Sequence, residues 1–293
     1  MGPYQLMEKL ESTEALDRLA EPLQAAIHKA VPTGPVKDAL SGTWLGHPVH
    51  PMLIALPIGS WVSALVLDLT AGGDRGRQAA ADTLVGLGAL SALPAAITGA
   101  SDWSDTVGAE RRVGLLHALG NYAVVGLQVA SFVARRRGRR TRGVALSVAA
   151  DMVVTATGYL GGHMSYAQGV GVDTTAFEVG PQEWSGVADD AAVAEGRPMA
   201  VEAEGVKLFL VRHGGRLYAL ADRCTHRGGP LHEGEMTDGC ITCPWHGSRF
   251  RLDDGSVERG PAVHPQPGYE TRVVAGRIEV RRREPKGLRS NAV

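Results

Sequence analysis

Four long apolar segments dominate the first half of the chain. They run approximately over residues 51–71, 82–101, 113–134 and 143–162, and short polar loops join them. Each is close to the ~20 residues that a helix needs to cross the hydrocarbon core of a bilayer. Their many glycines and alanines allow helices to approach closely in lipid. The pattern predicts a four-span transmembrane helical bundle.

Three acidic residues leave an alternative open. Asp68, Asp82 and Asp151 lie in or beside the apolar segments, and a carboxylate inside a span is costly. A buried, soluble four-helix domain would explain them. The membrane interpretation is favoured because four successive segments of this length are hard to bury in any other way.

The arginines predict an orientation. The third loop holds six arginines between residues 135 and 142, and the first loop holds Arg75 and Arg77. The loop on the opposite side has only Arg111 and Arg112. Positively charged loops stay in the cytoplasm, so both termini are expected outside. We therefore predict a multi-pass protein of the bacterial cell membrane whose C-terminal domain lies outside.

The N-terminal region, residues 1–43, is predicted to contain an amphipathic helix. Leu16, Leu19, Leu23 and Ile27 recur at helical spacing within residues 6–31. The segment lacks the long apolar core of a signal peptide. It is expected to lie on the protein or membrane surface.

The pattern changes after a glycine-rich linker near residues 163–176. Two hairpins are predicted, one between 206–211 and 216–220 around Gly214-Gly215, the other between 269–274 and 277–280 around Ala275-Gly276. The predicted fold is therefore multi-domain, an α-helical bundle followed by an all-β antiparallel sandwich or barrel. The predicted boundaries are 44–173 for the bundle, 174–283 for the β domain and 284–293 for a tail.

Two short turns in the β domain carry metal-binding residue types. They contain Cys224-Thr-His226 and Cys243-Pro-Trp-His246. One cysteine and one histidine in each turn suit a binuclear cluster with two thiolates on one iron and two imidazoles on the other. Two cysteines and two histidines also suit zinc, but zinc turns usually pair ligands of the same type. Gly228, Gly229 and Gly247 would let backbone N–H groups approach the sulfur atoms.

These turns resemble the Rieske ferredoxin family. The resemblance rests on Cys224-Thr-His-Arg-Gly-Gly-Pro-Leu and Cys243-Pro-Trp-His-Gly-Ser-Arg-Phe, and extends over about residues 176–283, including Gly260–Pro265 as a proline-rich loop beside the cluster. It implies one [2Fe-2S] cluster per chain, with Ser248 hydrogen-bonded to it, and with these ligands: Cys224, His226, Cys243 and His246. Relatives in cytochrome bc-type complexes carry an extra disulfide and a tyrosine, where this chain has Gly229, Trp245 and Phe250. The missing hydrogen bond at Phe250 predicts a lower reduction potential.

The apolar half resembles an uncharacterised family of bacterial four-span membrane proteins. The resemblance rests on Gly46-His-Pro-Val-His-Pro51 before the first span and on Leu160–His163 and Gly169–Asp173 after the last. It covers about residues 44–173. It implies a membrane domain and little about activity.

The expected function is one-electron transfer by a membrane-anchored iron–sulfur protein. An oxygenase is disfavoured, because only 47 residues follow His246, too few for a catalytic iron domain. A redox-sensing or assembly protein, or an electron-supplying component of a larger oxidoreductase complex, remains open. The expected partners are the lipid bilayer and a quinone, a cytochrome or a soluble reductase. A net charge of −1 gives no indication of nucleic-acid binding.

A second site is predicted in the membrane half. Its candidate residues are His47, His50, Asp102, His117 and His163. Ionisable groups at helix ends inside a bundle are candidates for a haem, a metal ion or a quinone site, with His117 and His163 as preferred ligands. The alternative is that these histidines only cap helices at the interface.

Overall fold

The structure is a computed structural model and describes residues 2–283. The chain forms two compact units. Of the described residues, the first unit comprises 2–32 and 48–171, and the second comprises 33–47 and 172–283. The domain boundaries predicted from the sequence stay predictions, and the predicted tail 284–293 lies outside the described residues.

The first unit is helical. The α-helices of the described chain, in order, are α1 Pro3–Glu11, α2 Asp17–Ala30, α3 Pro35–Ser41, α4 His50–Leu53, α5 Ala55–Thr70, α6 Arg75–Ser104, α7 Gly108–Arg136 and α8 Arg140–Tyr166; α3 belongs to the second unit. Four stretches are long and apolar enough to cross a membrane: His50–Thr70, Arg75–Ser104, Gly108–Arg136 and Arg140–Tyr166. The prediction of four candidate spans is confirmed.

The N-terminal segment is not one continuous helix as predicted over residues 6–31. Helix α1 ends at Glu11 and α2 begins at Asp17. The hydroxyls of Ser12 and Thr13 donate hydrogen bonds to the Lys9 carbonyl, at 3.2 and 2.6 Å. Such side-chain bonds compete with continuation of the helical ladder, which accounts for the break.

Salt bridges fix α2 against α7. The Asp17 carboxylate accepts hydrogen bonds from Arg111 and Arg112, with a closest contact of 2.6 Å to Arg112. The hydrogen bond from Arg112 lowers the pKa of Asp17. The charges of Arg111 and Arg112, in the first turns of α7, are therefore neutralised within the unit.

Glycines allow the spanning helices to pack closely. A Cβ on Gly88 would lie 2.3 Å from Nε1 of Trp61, so α5 and α6 can meet here only because residue 88 has no side chain. Trp61 packs in a buried apolar cluster with Ala92, Val124 and Ala150. The glycine content noted in the sequence thus serves helix packing.

The acidic residues of the spans are paired with arginines. The buried Arg135 guanidinium contacts Asp68 at 2.5 Å and Asp82 at 3.0 Å. Arg140 also contacts both carboxylates, and its distance to Asp82 is 2.7 Å. Two positive and two negative side chains therefore compensate one another at the ends of α5, α6, α7 and α8, which removes the objection these acids raised against the membrane interpretation.

The second unit is mainly antiparallel β structure. Its strands are β1 Ser185–Asp189, β2 Met199–Ala203, β3 Val206–His213, β4 Arg216–Ala221, β5 Glu235–Thr237, β6 Cys240–Thr242, β7 Arg249–Arg251, β8 Val257–Arg259, β9 Gly268–Val274 and β10 Arg277–Arg282. One sheet has the order β1-β10-β9-β4-β3-β2, and a smaller sheet has the order β5-β6-β7-β8. The all-β prediction is confirmed.

Both predicted hairpins are present. Strand β3 pairs with β4, and β9 pairs with β10. The turn residues Gly214 and Gly215 have φ of +59° and +73°, and Ala275 and Gly276 have φ of +48° and +79°. Two successive residues of positive φ characterise the type I′ turn, whose twist matches that of the strands.

A segment that precedes the spans belongs to the β unit. We call residues 33–47 the strap. The Oδ1 atom of Asp38 accepts a hydrogen bond from the Gly260 N–H at 2.9 Å, and the Thr43 hydroxyl donates to the Ala262 carbonyl at 3.1 Å. Burial raises the pKa of Asp38, and the Gly260 bond opposes that shift. The strap thus holds the loop that follows β8.

Candidate metal centre

The two cysteine turns fold into equivalent loops. The first follows β4 and the second follows β6. In each, a glycine N–H donates to the carbonyl of the cysteine four residues earlier, Gly228 to Cys224 at 2.8 Å and Gly247 to Cys243 at 3.1 Å. These glycines have φ of +77° and +74°, a conformation that other residues adopt at a cost. The sequence therefore builds the same tight turn twice.

The loops bring like side chains together. The thiols of Cys224 and Cys243 are hydrogen-bonded to each other. The rings of His226 and His246 meet edge to face, with centroids 5.1 Å apart. Both cysteines are buried and both histidines are half-buried. A thiol pair on the inner side and an imidazole pair on the outer side could hold two irons with two ligands each.

Backbone N–H groups surround the sulfur atoms. Those of His226 and Arg227 point at Cys224, and those of Trp245 and His246 point at Cys243. The hydrogen bond from the Cys224 thiol lowers the pKa of Cys243 to about 7 and raises the pKa of Cys224. At Cys243 the arrangement thus favours the thiolate, which is the form that binds metal.

Gly229 makes room for this arrangement. A Cβ at this position would lie 2.8 Å from the Cys243 sulfur and 3.0 Å from Cγ of Trp245. Only glycine lets the first loop approach the second so closely. The cradle, the thiol pair and the imidazole pair together fit a [2Fe-2S] cluster.

The arrangement fits a single zinc ion less well. In residues 2–283, no group of three histidine, cysteine or acidic side chains is placed to hold one metal ion. The four side chains are instead separated into two chemically distinct pairs. Tetrahedral zinc needs all of its ligands to converge on one point.

Polar residues behind the loops anchor them. The fully buried Ser248 accepts a hydrogen bond from the Ala262 N–H at 2.9 Å through its hydroxyl oxygen, which leaves its O–H to donate elsewhere. Gln266 accepts from the Thr225 N–H and donates to the carbonyls of Ala221 and Arg223. Sequence reasoning missed Gln266; a glutamine between two prolines in the predicted cluster loop is the signal that could have identified it.

The residues predicted for the membrane site have separate environments. His47 belongs to the second unit, where its ring contacts His264 with centroids 5.5 Å apart. His163, a preferred ligand, is bonded through Nε2 to a Glu11 carboxylate oxygen at 2.7 Å. Asp102 lies in the last turn of α6.

His50 and His117 share a different pattern. Nδ1 of His50 lies 2.9 Å from the Ala95 carbonyl oxygen, and Nδ1 of His117 lies 2.8 Å from the Thr157 carbonyl oxygen. Each ring is thus bonded to the backbone of a neighbouring spanning helix.

Comparison with known proteins identifies the second unit. Residues 183–270 match the Rieske [2Fe-2S] domain. The anthranilate 1,2-dioxygenase ferredoxin subunit of Burkholderia cepacia is 32% identical over 98 residues, which are 33% of this chain and 91% of that protein. The chain belongs to the Rieske [2Fe-2S] family. Its Rieske domain binds a [2Fe-2S] cluster.

The Rieske domain is fused to a second family. Residues 46–174 match the family described as "Predicted membrane protein (DUF2231)". The family and the four apolar helices agree with the membrane domain expected from the sequence.

Other relatives share only the Rieske region. Apoptosis-inducing factor 3 of Mus musculus is 30% identical over 29% of this chain, and the match spans only 14% of that protein. The cytochrome b6-f complex iron-sulfur subunit of Chlorobaculum tepidum is 38% identical over 25% of this chain and 40% of its own length. Electron-transfer proteins are therefore among the relatives of this Rieske protein.

Proposed function

We propose that this Rieske protein is a membrane-anchored one-electron carrier whose cluster ligands are Cys224, His226, Cys243 and His246. The observation that carries the proposal is the pairing of like side chains by two equivalent loops. The thiols contact each other on the buried side and the imidazoles contact each other on the outer side. A Rieske cluster has two thiolates on one iron and two imidazoles on the other.

The imidazole side is the proposed route for the electron. His246 is half-buried and lies beside Trp245, whose exposed fraction is 57%, with ring centroids 6.4 Å apart. When bound, the cluster supplies a centre that accepts and returns one electron. The exposed rings around it provide a surface on which a redox partner can dock.

The partner is proposed from the kinds of protein that are similar. One relative is named as the ferredoxin subunit of a dioxygenase and another as the iron-sulfur subunit of a cytochrome complex. By analogy, we propose that this protein exchanges electrons with a quinone, a cytochrome or a soluble reductase, and that it works as a component of a larger oxidoreductase system.

The ligand assignment is tested on the full chain purified in detergent. We expect two irons and two sulfides per chain and the EPR signal of a reduced Rieske cluster. His246→Cys should shift the optical and EPR spectra toward those of an all-thiolate cluster. Cys240→Ser is the matched control, because Cys240 is a buried residue of β6 outside both loops, and its spectra should be unchanged. One equivalent of zinc without iron would contradict the proposal.

The orientation is proposed from the arginines that do not pair with Asp68 or Asp82. Arg135 and Arg140 are compensated by Asp68 and Asp82. The same end of the bundle still carries further arginines in the first and third loops: Arg75, Arg77, Arg136, Arg137, Arg139 and Arg142. By the positive-inside rule, we propose that this end is cytoplasmic and that the Rieske domain lies outside a bacterial cell membrane. A reporter at the C-terminus should then be external; a cytoplasmic reporter would refute this orientation.

A further inference from the structure

The strap holds the loop that follows β8 at two points. In α3, the Asp38 carboxylate accepts a hydrogen bond from the Gly260 N–H at 2.9 Å. Just after α3, the Thr43 hydroxyl donates to the Ala262 carbonyl at 3.1 Å. The two holding residues are also joined to each other, because the N–H groups of Gly42 and Thr43 both donate to the Asp38 carbonyl at 3.1 Å. The end of α3 therefore presents a carboxylate and a hydroxyl to this loop as one connected pair.

Glycines give the strap room to lie against the β unit. A Cβ on Gly260 would clash with Oγ1 of Thr43 and would lie 2.9 Å from Oδ1 of Asp38. At the other end of the strap, a Cβ on Gly247 would lie 3.2 Å from Cγ2 of Thr33. Gly247 belongs to the second cysteine loop, so the strap touches both that loop and the loop after β8.

The loop after β8 connects the strap to the cluster site through a single residue. The Ala262 carbonyl accepts from Thr43, and the Ala262 N–H donates to the Ser248 hydroxyl oxygen at 2.9 Å. Ala262 and Ser248 are both fully buried. Ser248 also belongs to the second cysteine loop, where its carbonyl accepts from the Cys243 N–H at 2.8 Å. A displacement of Ala262 would therefore reach Ser248 directly.

The bond from Ala262 limits what the Ser248 hydroxyl can do. A hydroxyl that accepts from an N–H directs its own hydrogen elsewhere. Among residues 2–283, no acceptor takes that hydrogen. A buried donor without an acceptor is costly, and the sulfur atoms of a bound [2Fe-2S] cluster would supply one. The Ser248 hydroxyl is thus a donor that the protein holds ready for the cluster.

We propose that the strap tunes the reduction potential of the cluster, with Thr43 as a positioning residue that acts through Ala262 on Ser248. This inference rests on the proposed function, because it concerns the same cluster. The reduced cluster carries one more negative charge than the oxidised cluster. A hydrogen bond from Ser248 therefore stabilises the reduced form more and raises the potential. Thr43 holds Ala262 where its N–H can keep the Ser248 hydroxyl in the donating orientation.

The test measures the reduction potential of the full chain in detergent by a redox titration followed by EPR. Thr43→Val keeps the shape of the side chain but removes the hydroxyl, so the potential should fall. The fall should be smaller than that of Ser248→Ala, which removes the donor itself. Thr43→Ser keeps a hydroxyl and should restore the natural value. Thr271→Val is the matched control, because the Thr271 hydroxyl donates to the Leu217 carbonyl at the same distance of 3.1 Å, and its potential should be unchanged.

The double variant Thr43→Val/Ser248→Ala identifies the route. If the strap acts through Ser248, the double variant should have the potential of Ser248→Ala alone. Gly260→Ala perturbs the same contact from the other side, because its Cβ would push Thr43 away, and it should also lower the potential. An unchanged potential in both Thr43→Val and Gly260→Ala would overturn the inference. Additive falls in the double variant would overturn it as well.

The EPR signal of the unaltered protein separates this inference from the proposed function. Absence of a Rieske signal there would refute both. An intact Rieske signal with a potential that does not respond to Thr43→Val and Gly260→Ala would refute only the role of the strap. The carrier function would then stand, with the cluster potential set by the β domain without the strap.

Discussion

Replacement of Arg135 by methionine should destabilise the membrane unit more than any other change in its ion-pair network. The Arg135 side chain is 0% exposed, and its partner Asp68 is 1% exposed. Methionine keeps much of the volume but removes the donors to Asp68, Asp82 and the Ser131 hydroxyl. The buried Asp68 carboxylate would then retain only Arg140, whose side chain is 25% exposed.

The magnitude follows from burial. Removing one partner of a buried ion pair costs about 3–5 kcal/mol, because a charge is left uncompensated. For a folding unit of this size, that cost corresponds to a fall of about 6–20 °C in Tm. Arg140→Met is the matched control. It removes a partly exposed partner and leaves the Arg135–Asp68 contact of 2.5 Å intact, so we expect a cost of only about 1 kcal/mol.

The assay is thermal unfolding in detergent, with helix content followed by circular dichroism and the cluster followed by its visible absorbance. The double variant Asp68→Leu/Arg135→Met should recover much of the loss, because apolar residues can replace a buried pair without leaving a charge. Equal falls in Tm for Arg135→Met and Arg140→Met, or no recovery in the double variant, would refute the reasoning.

Three further predictions concern the Rieske unit. Gly229→Ala should lose most of its iron, because its Cβ would lie 2.8 Å from the Cys243 sulfur. Gly205→Ala is the control: residue 205 has a positive φ, but its Cβ would meet nothing within 4 Å, so iron analysis should show an unchanged iron content. Phe250→Tyr should raise the reduction potential measured by voltammetry by about 20–65 mV, the equivalent of one hydrogen bond of about 0.5–1.5 kcal/mol. An unchanged or lower potential would contradict the expectation that a hydrogen bond from residue 250 raises it. Burial raises the pKa of Asp38 above 3.8, so the folded state binds its proton more readily and the attachment of the strap should weaken as pH rises from 3.8 through that raised pKa. Hydrogen exchange at the Gly260 amide should show this change in the natural protein and not in Asp38→Asn; the same dependence in both would assign it to another group.

The parts of the structure that sequence predicted are those with local signals. The lengths of the apolar segments predicted the four spans, and the turn residues Gly214-Gly215 and Ala275-Gly276 predicted the two hairpins. The two turns that each contain a cysteine and a histidine predicted the [2Fe-2S] cluster. Each of these depends on residues within a few positions of one another or on the composition of a single segment.

The parts that sequence did not predict depend on distant pairing. Asp68 and Arg135 are 67 residues apart in sequence. Their pairing therefore becomes visible only when the packing of the helices is known. The hydrogen bonds of His50 and His117 are made to carbonyls on another helix, which no local pattern reveals. His47 lies within the match to the membrane family, residues 46–174, yet its contacts group it with the β unit.

The strap has a consequence for how the chain is threaded through a membrane. Residues 33–47 and 172–283 form one folded unit, although all four candidate spans lie between them in sequence. Parts of one folded unit must lie on the same side of a bilayer, so the chain must cross it an even number of times between His47 and Val172. This parity is independent of hydropathy and charge, and it excludes three or five crossings. It also means that the β unit cannot be completed until the segment that carries all four candidate spans has been synthesised.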